Sequence, residues 1–275
     1  MTSPAQSLSE IRHVVLDLDG TLYLDGVLFP CTLPFLEELG RLQIGHSFMT
    51  NNNSRSHAEY VSLLRGLGIS TGPGQIVTST DATVSLLRRR WPRATRLSVL
   101  GTPGCRSDFA AAGFTIVDGT DEPDAVIVAF DTTLTYDRLA ATASWVARGK
   151  PYVATHPDLI CPTKEDTMLP DCGSICALLE SATGRKPDAI AGKPSPELLH
   201  HAARQVGHEI SEIAVVGDRL YTDMKMARDA GAVSVLVLSG ETTRDQADAA
   251  NPKPDFVVTD VGDFGQRLAH AQPVS

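Results

Sequence analysis

The sequence predicts an α/β protein: a doubly wound parallel sheet interrupted by an inserted α/β module. Three observations carry this. Short apolar runs of strand length, such as Val14–Leu16, Ile213–Val216 and Val233–Leu238, alternate with amphipathic segments of helical period. That strand–helix rhythm breaks off after Gly68 and resumes after Gly184. The residues between hold a set of strands and helices of their own, about a hundred residues long, which is ordinary domain size. The expected organisation is a core over 1–81, an insert over 82–182 and a second core segment over 183–275.

Taken in order, residues 1–11 read as a frayed arm, and the first strand follows, ending at Asp17–Asp19. Gly20, Asp25, Gly26 and Pro30 mark a turn-rich loop or tight hairpin. Leu33, Leu36, Leu39 and Leu42 fit a helix with Thr32 as N-cap and Pro34 in its first turn. Ile44–Thr50 reads as a strand running into Asn51, Asn52 and Asn53, and a helix over 56–67 is closed by Gly68. The cluster Thr78–Asp81 leads into a helix that ends at Arg88–Arg90, a solvated end. Strands are expected at 97–100, 125–130 and 152–155, and helices at 108–112 and 136–148. After the insert come a strand at 189–191, a helix at 196–206 behind Ser195, a strand at 213–217 and a helix at 222–230. Strands at 233–238 and 256–258 and a helix at 263–271 complete the pattern.

The chain has 275 residues, 42% of them hydrophobic and 21% charged, enough to bury a core without staples. Its net charge of -9 argues against a protein that coats nucleic acid, but a local cation can still draw a small anion into a pocket. No apolar run suggests a secretion signal or a membrane span. Five scattered cysteines imply no disulfide framework and favour a reducing, cytoplasmic setting. Cys172 and Cys176 share a helix face, where they read as small buried residues.

Polar residues gather at four strand ends, where open α/β sheets bind ligands. Asp17 and Asp19 end the first strand, and side chains two apart on a strand share a face. Two carboxylates that close repel, so the pair is favoured beside a cation or with one member protonated. An Asp-Gly turn is the ordinary alternative. Thr50 and Asn51 end the second strand, Gly192, Lys193 and Pro194 follow the strand after the insert, and Asp218 and Asp223 follow the next. Singly, each has a plain reading as a cap or a solvated charge. All four falling at the same end of parallel strands points to a site.

In this order, DLDGTLY, TNN, GKP and GDRLYTD resemble the four signatures of the haloacid dehalogenase (HAD) superfamily of phosphohydrolases, whose core is Rossmann-like. The insert resembles the C2-type cap of subclass IIA, the branch of p-nitrophenyl, phosphoglycolate and pyridoxal phosphatases. The likeness runs from Val14 to Phe264 and includes the units TNNNS, TGRKP and GKPSPE. It implies a Mg²⁺-dependent phosphomonoesterase acting on small phosphorylated metabolites. Asp17 would be the nucleophile and Asp19 the general acid and base. Thr50 and Lys193 would hold the phosphoryl group, helped by the backbone of Asn51 and Asn52. Mg²⁺ would be held by Asp17, the Asp19 carbonyl, Asp218 and, through water, Asp223. The insert would close over the site and contact substrate through His156, Asp158 and the loop 161–174, which includes Lys164, and caps of this type also suggest a homodimer. The alternatives are a silent binding protein on the same fold, or a phosphotransferase. The second usually needs a helical cap after the first motif, and the interval from Asp19 to Thr50 is too short for one.

Overall fold

The computed structural model describes residues 8–162 and 168–271, so Lys164 lies outside the described residues. The chain divides into two compact units. The first comprises the residues up to Thr50, Leu63–Val77 and those from Pro194 onward; the second comprises Asn51–Ser62 and Thr78–Lys193.

The first unit is built on a six-stranded sheet in the order Phe256–Val258, Val233–Val237, Ile213–Gly217, His13–Leu16, Gly45–Thr50, Ile76–Thr78. From Gly45–Thr50 across to Phe256–Val258 the strands run parallel. Every residue of His13–Leu16, Ile213–Gly217 and Val233–Val237 is buried, as expected for a parallel sheet covered on both faces. The covering helices are amphipathic. Pro196–Val206 buries Leu198, Leu199, Ala202 and Ala203, and Val261–Ala271 buries Val261, Phe264, Gly265 and Leu268. The chain leaves His13–Leu16 to one side through Gly45–Thr50 and returns on the other through Ile213–Gly217. The order therefore reverses between these two central strands, and their carboxyl ends open onto the switch-point crevice of a doubly wound sheet.

The second unit holds a five-stranded parallel sheet in the order Ala189–Ile190, Tyr152–Ala154, Ala125–Val128, Arg96–Leu100, Thr115–Val117. Alternate residues feed two cores. Val126, Val128, Tyr152 and Ala154 pack with Trp145, Cys172, Ile175 and Leu179, whereas Ala125, Ile127 and Val153 pack with Leu87, Cys105 and Phe109. Cys172 and Cys176 are free and buried, as small core residues.

Several elements differ from expectation. The strand Ala189–Ile190 does not rejoin the first sheet but pairs with Val153 and Ala154 at the edge of the second. Residues 183–193 therefore belong with the second unit, as do 51–62 and 78–81. A two-residue apolar run followed by a loop lysine carries no signal of which sheet it joins. Thr32 is the first helical residue rather than the cap, and its hydroxyl instead donates to the Leu22 carbonyl at 2.6 Å. The helix expected at 108–112 begins at Pro103, behind the capping hydroxyl of Thr102. Strand Thr115–Val117, the hairpin Ile160–Pro162 with Met168–Pro170, and helix Arg244–Ala249 are additions to the predicted set. His57, the first residue of helix His57–Gly66, is clamped between Asp108 and Asp81, with a ring nitrogen 2.8 Å from each carboxylate.

Candidate active site

The predicted site residues form two groups, one in each unit. In the first unit the strand His13–Leu16 stops one residue short of Asp17, though the Asp17 N–H still donates to the Val216 carbonyl at 2.9 Å. Asp17 is 8% exposed, and its Oδ2 accepts from the Thr21 hydroxyl at 3.3 Å. Across the switch point, Ile213–Gly217 delivers Asp218 directly, and one turn of π-helix, Leu220–Met224, delivers Asp223. Such turns are frequent at functional sites. Asp218 and Asp223 are buried, and one carboxylate oxygen from each of Asp17, Asp218 and Asp223 lies within 4.8 Å of the others. Thr50 is buried at the end of its own strand.

Asp218 is held tightly. Its Oδ2 accepts from the Glu241 N–H at 2.7 Å, and its carbonyl accepts from the Thr242 N–H at 3.2 Å. Gly20, at φ +84°, passes so close that a Cβ there would strike the Asp218 carboxylate, which explains the glycine of the DLDGT motif. The Ser239 hydroxyl ties the Gly20 carbonyl at 2.8 Å. Segment 239–242 went unnoticed in the sequence because it matches no motif; its only signal is the turn-like Ser-Gly after an apolar strand.

The donor set is all oxygen, carried on carboxylates that repel one another. That combination suits a hard cation such as Mg²⁺, which prefers oxygen ligands and keeps several waters, and carries none of the sulfur or imidazole that zinc favours. The side chain of Asp19 is not part of this cluster. It is exposed, with the Tyr23 hydroxyl 3.5 Å from its Oδ2.

In the second unit, Asn51 is the organising residue. Its Nδ2 donates to the Lys193 carbonyl at 3.0 Å and to the Asp158 carboxylate at 3.2 and 3.3 Å. Its Oδ1 accepts from the Lys193 N–H at 2.8 Å, and its carbonyl accepts from the Ser79 hydroxyl at 2.7 Å. Asn52 turns away, its side-chain oxygen accepting from the Ser54 N–H and hydroxyl at 3.0 and 2.7 Å. His156 is wholly buried. Its Nδ1 lies 3.6 Å from Asp158 Oδ2 and its Nε2 3.5 Å from Asp171 Oδ1. Burial opposes a charge on this ring, whereas the flanking carboxylates of Asp158 and Asp171 favour it and push its pKa up. Cys172 stays a thiol, since burial drives its own pKa well above the usual thiol range. The two carboxylates are therefore the charges that favour a protonated imidazole.

With this geometry in view, the likeness to known proteins is specific. Residues 14–115 match the family described as haloacid dehalogenase-like hydrolase, and residues 190–264 match the HAD-hydrolase-like family. The acid sugar phosphatase of Staphylococcus haemolyticus is 31% identical over 92% of this chain and 95% of its own. The crystal structure of a 4-nitrophenylphosphatase from Thermotoga maritima superposes with a TM-score of 0.89 at 44% identity, covering 94% of this chain and 98% of that one. A glycerol phosphate phosphatase from Mycobacterium tuberculosis, solved in complex with magnesium, gives 0.88 at 31% identity over 98% of this chain and 82% of that one. The chain belongs to the haloacid dehalogenase-like hydrolases. Within them its likeness is to phosphatases of the p-nitrophenyl phosphatase type, so its reaction class is phosphoric monoester hydrolysis.

Proposed function

We propose that this phosphatase is Mg²⁺-dependent, hydrolyses small phosphorylated metabolites, and works through an aspartyl-phosphate on Asp17. The observation that carries the proposal is the meeting of Asp17, Asp218 and Asp223 at the switch point. An ionised carboxylate held there can attack phosphorus, the O–P bond to the leaving alcohol breaking as the new one forms. Asp19 gives its proton to the departing oxygen and then takes one from the water that attacks the aspartyl-phosphate. Its exposure supports this role, because a group at the rim exchanges protons with solvent. Bound Mg²⁺ supplies neutralisation of the negative charge gathered around phosphorus. Asp17, Asp218 and Asp223 would hold it, with the Asp19 carbonyl assigned by the motif alone.

Thr50 is assigned to the phosphoryl oxygens by its burial at a strand end and by its motif, and Lys193 by the GKP motif. The inserted module is read as the cap that excludes water and selects the leaving group. Asp158 enters this reading through its grip on Asn51. The relatives named above act on a sugar phosphate, a nitrophenyl phosphate and a glycerol phosphate, which supports a small organic monoester as substrate. All five cysteines are free, which fits a reducing cytoplasm, and a homodimer through the cap is the assembly proposed. Among the described residues no helix is long and apolar enough to cross a membrane. The test is hydrolysis of p-nitrophenyl phosphate with Mg²⁺, which Asp17→Asn should abolish. Wild-type turnover in that variant would remove Asp17 as the nucleophile.

A further inference from the structure

We propose that His156 is a positioning residue: a buried cation that, through Asp158 and Asn51, holds the backbone of Lys193, and that it does not touch substrate. The proposal rests on the phosphatase reading above and adds to it the device that fixes the lysine of the GKP motif.

His156 follows the strand Tyr152–Ala154 and is 0% exposed. Its ring stands between two carboxylates whose side chains are only 8% and 5% exposed, Asp158 and Asp171. At 3.5 and 3.6 Å these contacts are longer than hydrogen bonds, so charge rather than a directed bond links the three groups. A buried imidazolium alone, or two buried carboxylates alone, would be strongly unfavourable; the one cation between two anions makes the arrangement tolerable.

The two carboxylates are not equivalent. Asp171 is anchored as the N-cap of helix Cys172–Thr183, its Oδ1 accepting from the Cys172 N–H at 2.6 Å. Asp158 instead carries Asn51, and Asn51 grips both the N–H and the carbonyl of Lys193. That two-point grip sets the direction in which the lysine side chain leaves the backbone. The neighbouring chain is tied to the same strand, with the Gly192 N–H donating to the Thr155 carbonyl at 2.7 Å. A Cβ on Gly192 would collide with Asn51 Oδ1, the Thr155 carbonyl and the His156 Cβ, so only glycine permits this approach. Without the charge on His156, Asp158 and Asp171 repel across a short gap. Asp158 is bonded to Asn51 and Asn51 to Lys193, so a shift of Asp158 is passed on to both.

Among the described residues, the groups facing the ring are Asp158, Asp171 and Cys172. Histidine labelled with ¹⁵N should show the His156 ring of the wild-type chain protonated on both nitrogens at pH 7.5. In His156→Gln, the Lys193 amide should exchange with solvent at least about tenfold faster, because its acceptor is no longer held. For p-nitrophenyl phosphate, kcat should fall about tenfold, with KM and the Mg²⁺ requirement within about twofold of wild type, since misplacement of a charge-stabilising group acts on the transition state. Asp158→Asn should give the same pattern, and the double variant should lose no more than the worse single one.

A neutral His156 ring at pH 7.5, an unchanged Lys193 amide in His156→Gln, or additive losses in the double variant would each overturn the proposal. If His156→Gln does not fold, the wild-type ring state and Lys193 exchange in Asp158→Asn decide it alone. The same three residues also place one ligand-type atom each within 4.8 Å of the others. Zn²⁺ bound by an Asp218→Ala chain and lost in His156→Gln would replace the ion triad with a metal site. The ring state and amide exchange need no turnover, so a wild type inactive on phosphate monoesters would refute the phosphatase reading without deciding this one.

Discussion

Acid should unfold the first unit through His13, at the end of the sheet opposite the strand ends that carry Asp17 and Asp218. His13 opens the central strand, is 5% exposed and shares a 3.0 Å hydrogen bond between Nε2 and the Ser47 hydroxyl. Burial, then the nearby rings of His208 and His46, lower its pKa from 6.5 to about 4. The unfolded chain therefore binds more protons than the folded one between these values. Stability from this group is intact above pH 6.5 and is lost as the pH falls toward 4. Linkage gives a loss of about 1.4 kcal/mol at pH 5.5 and about 2.5 kcal/mol at pH 4.5. Carboxylates elsewhere also titrate in this range, so the measurement is a difference between wild type and His13→Asn. Both tryptophans, Trp91 and Trp145, lie in the second unit, and fluorescence would follow the wrong part of the chain. Hydrogen exchange of Val14–Leu16 reports the first unit directly, since its core amides open only with large-scale unfolding. The gap in opening free energy between wild type and variant should shift by about 2.5 kcal/mol in favour of the variant from pH 7.5 to pH 4.5. Parallel losses in the two chains would show that the His13 ring is not held neutral by the fold.

Asp218→Ala should raise the Mg²⁺ concentration for half-maximal activity by about tenfold or more, because it removes one carboxylate from the three-carboxylate cluster proposed to hold the ion; a metal titration of p-nitrophenyl phosphate hydrolysis checks this, and an unchanged midpoint removes Asp218 from the proposed ligands. His57 should behave opposite to His13. Burial disfavours its charge, but hydrogen bonds with Asp108 and Asp81 prevail and raise its pKa to about 10. Its contribution is complete below pH 6.5 and is lost as the pH rises through 10. His57→Gln should cost about 2–4 kcal/mol at pH 7, with the cost shrinking by pH 10. Urea unfolding followed by Trp91 and Trp145 fluorescence reports the unit that contains this clamp.

The doubly wound sheet was legible because its signals are local. Val14–Leu16, Ala214–Val216 and Val233–Val237 are apolar without a break, as strands buried on both faces must be, and glycines close the helices between them. What could not be read was partnership. Ala189–Ile190 is the same short apolar run whichever sheet receives it, and only its register with Val153 and Ala154 decides. The histidines show the same gap. A loop His and a helix-start His look solvated in sequence, yet His57 meets Asp81 and Asp108 from two other helices, and His156 meets its neighbour Asp158 and the distant helix cap Asp171. Composition names the charges but not the company they keep in space.

The pair Asp17 and Asp19 shows where the period-two argument fails and what replaces it. It requires extended backbone through both residues, and the strand ends at Leu16. Beyond that point the chain turns, with Thr21, Leu22 and Tyr23 N–H groups directed at the Leu18 carbonyl. Asp17 stays buried and Asp19 is exposed. The charges that share a volume with Asp17 therefore come from across the switch point, from Asp218 and Asp223. This arrangement separates two demands that conflict within a single buried pair. A nucleophile must remain ionised, and a neighbouring cation shell favours that form. A general acid must regain its proton in every cycle, and exposure to water permits that. On the roles proposed for them, the turn after Leu16 lets two aspartates of one motif, two residues apart, meet opposite protonation requirements.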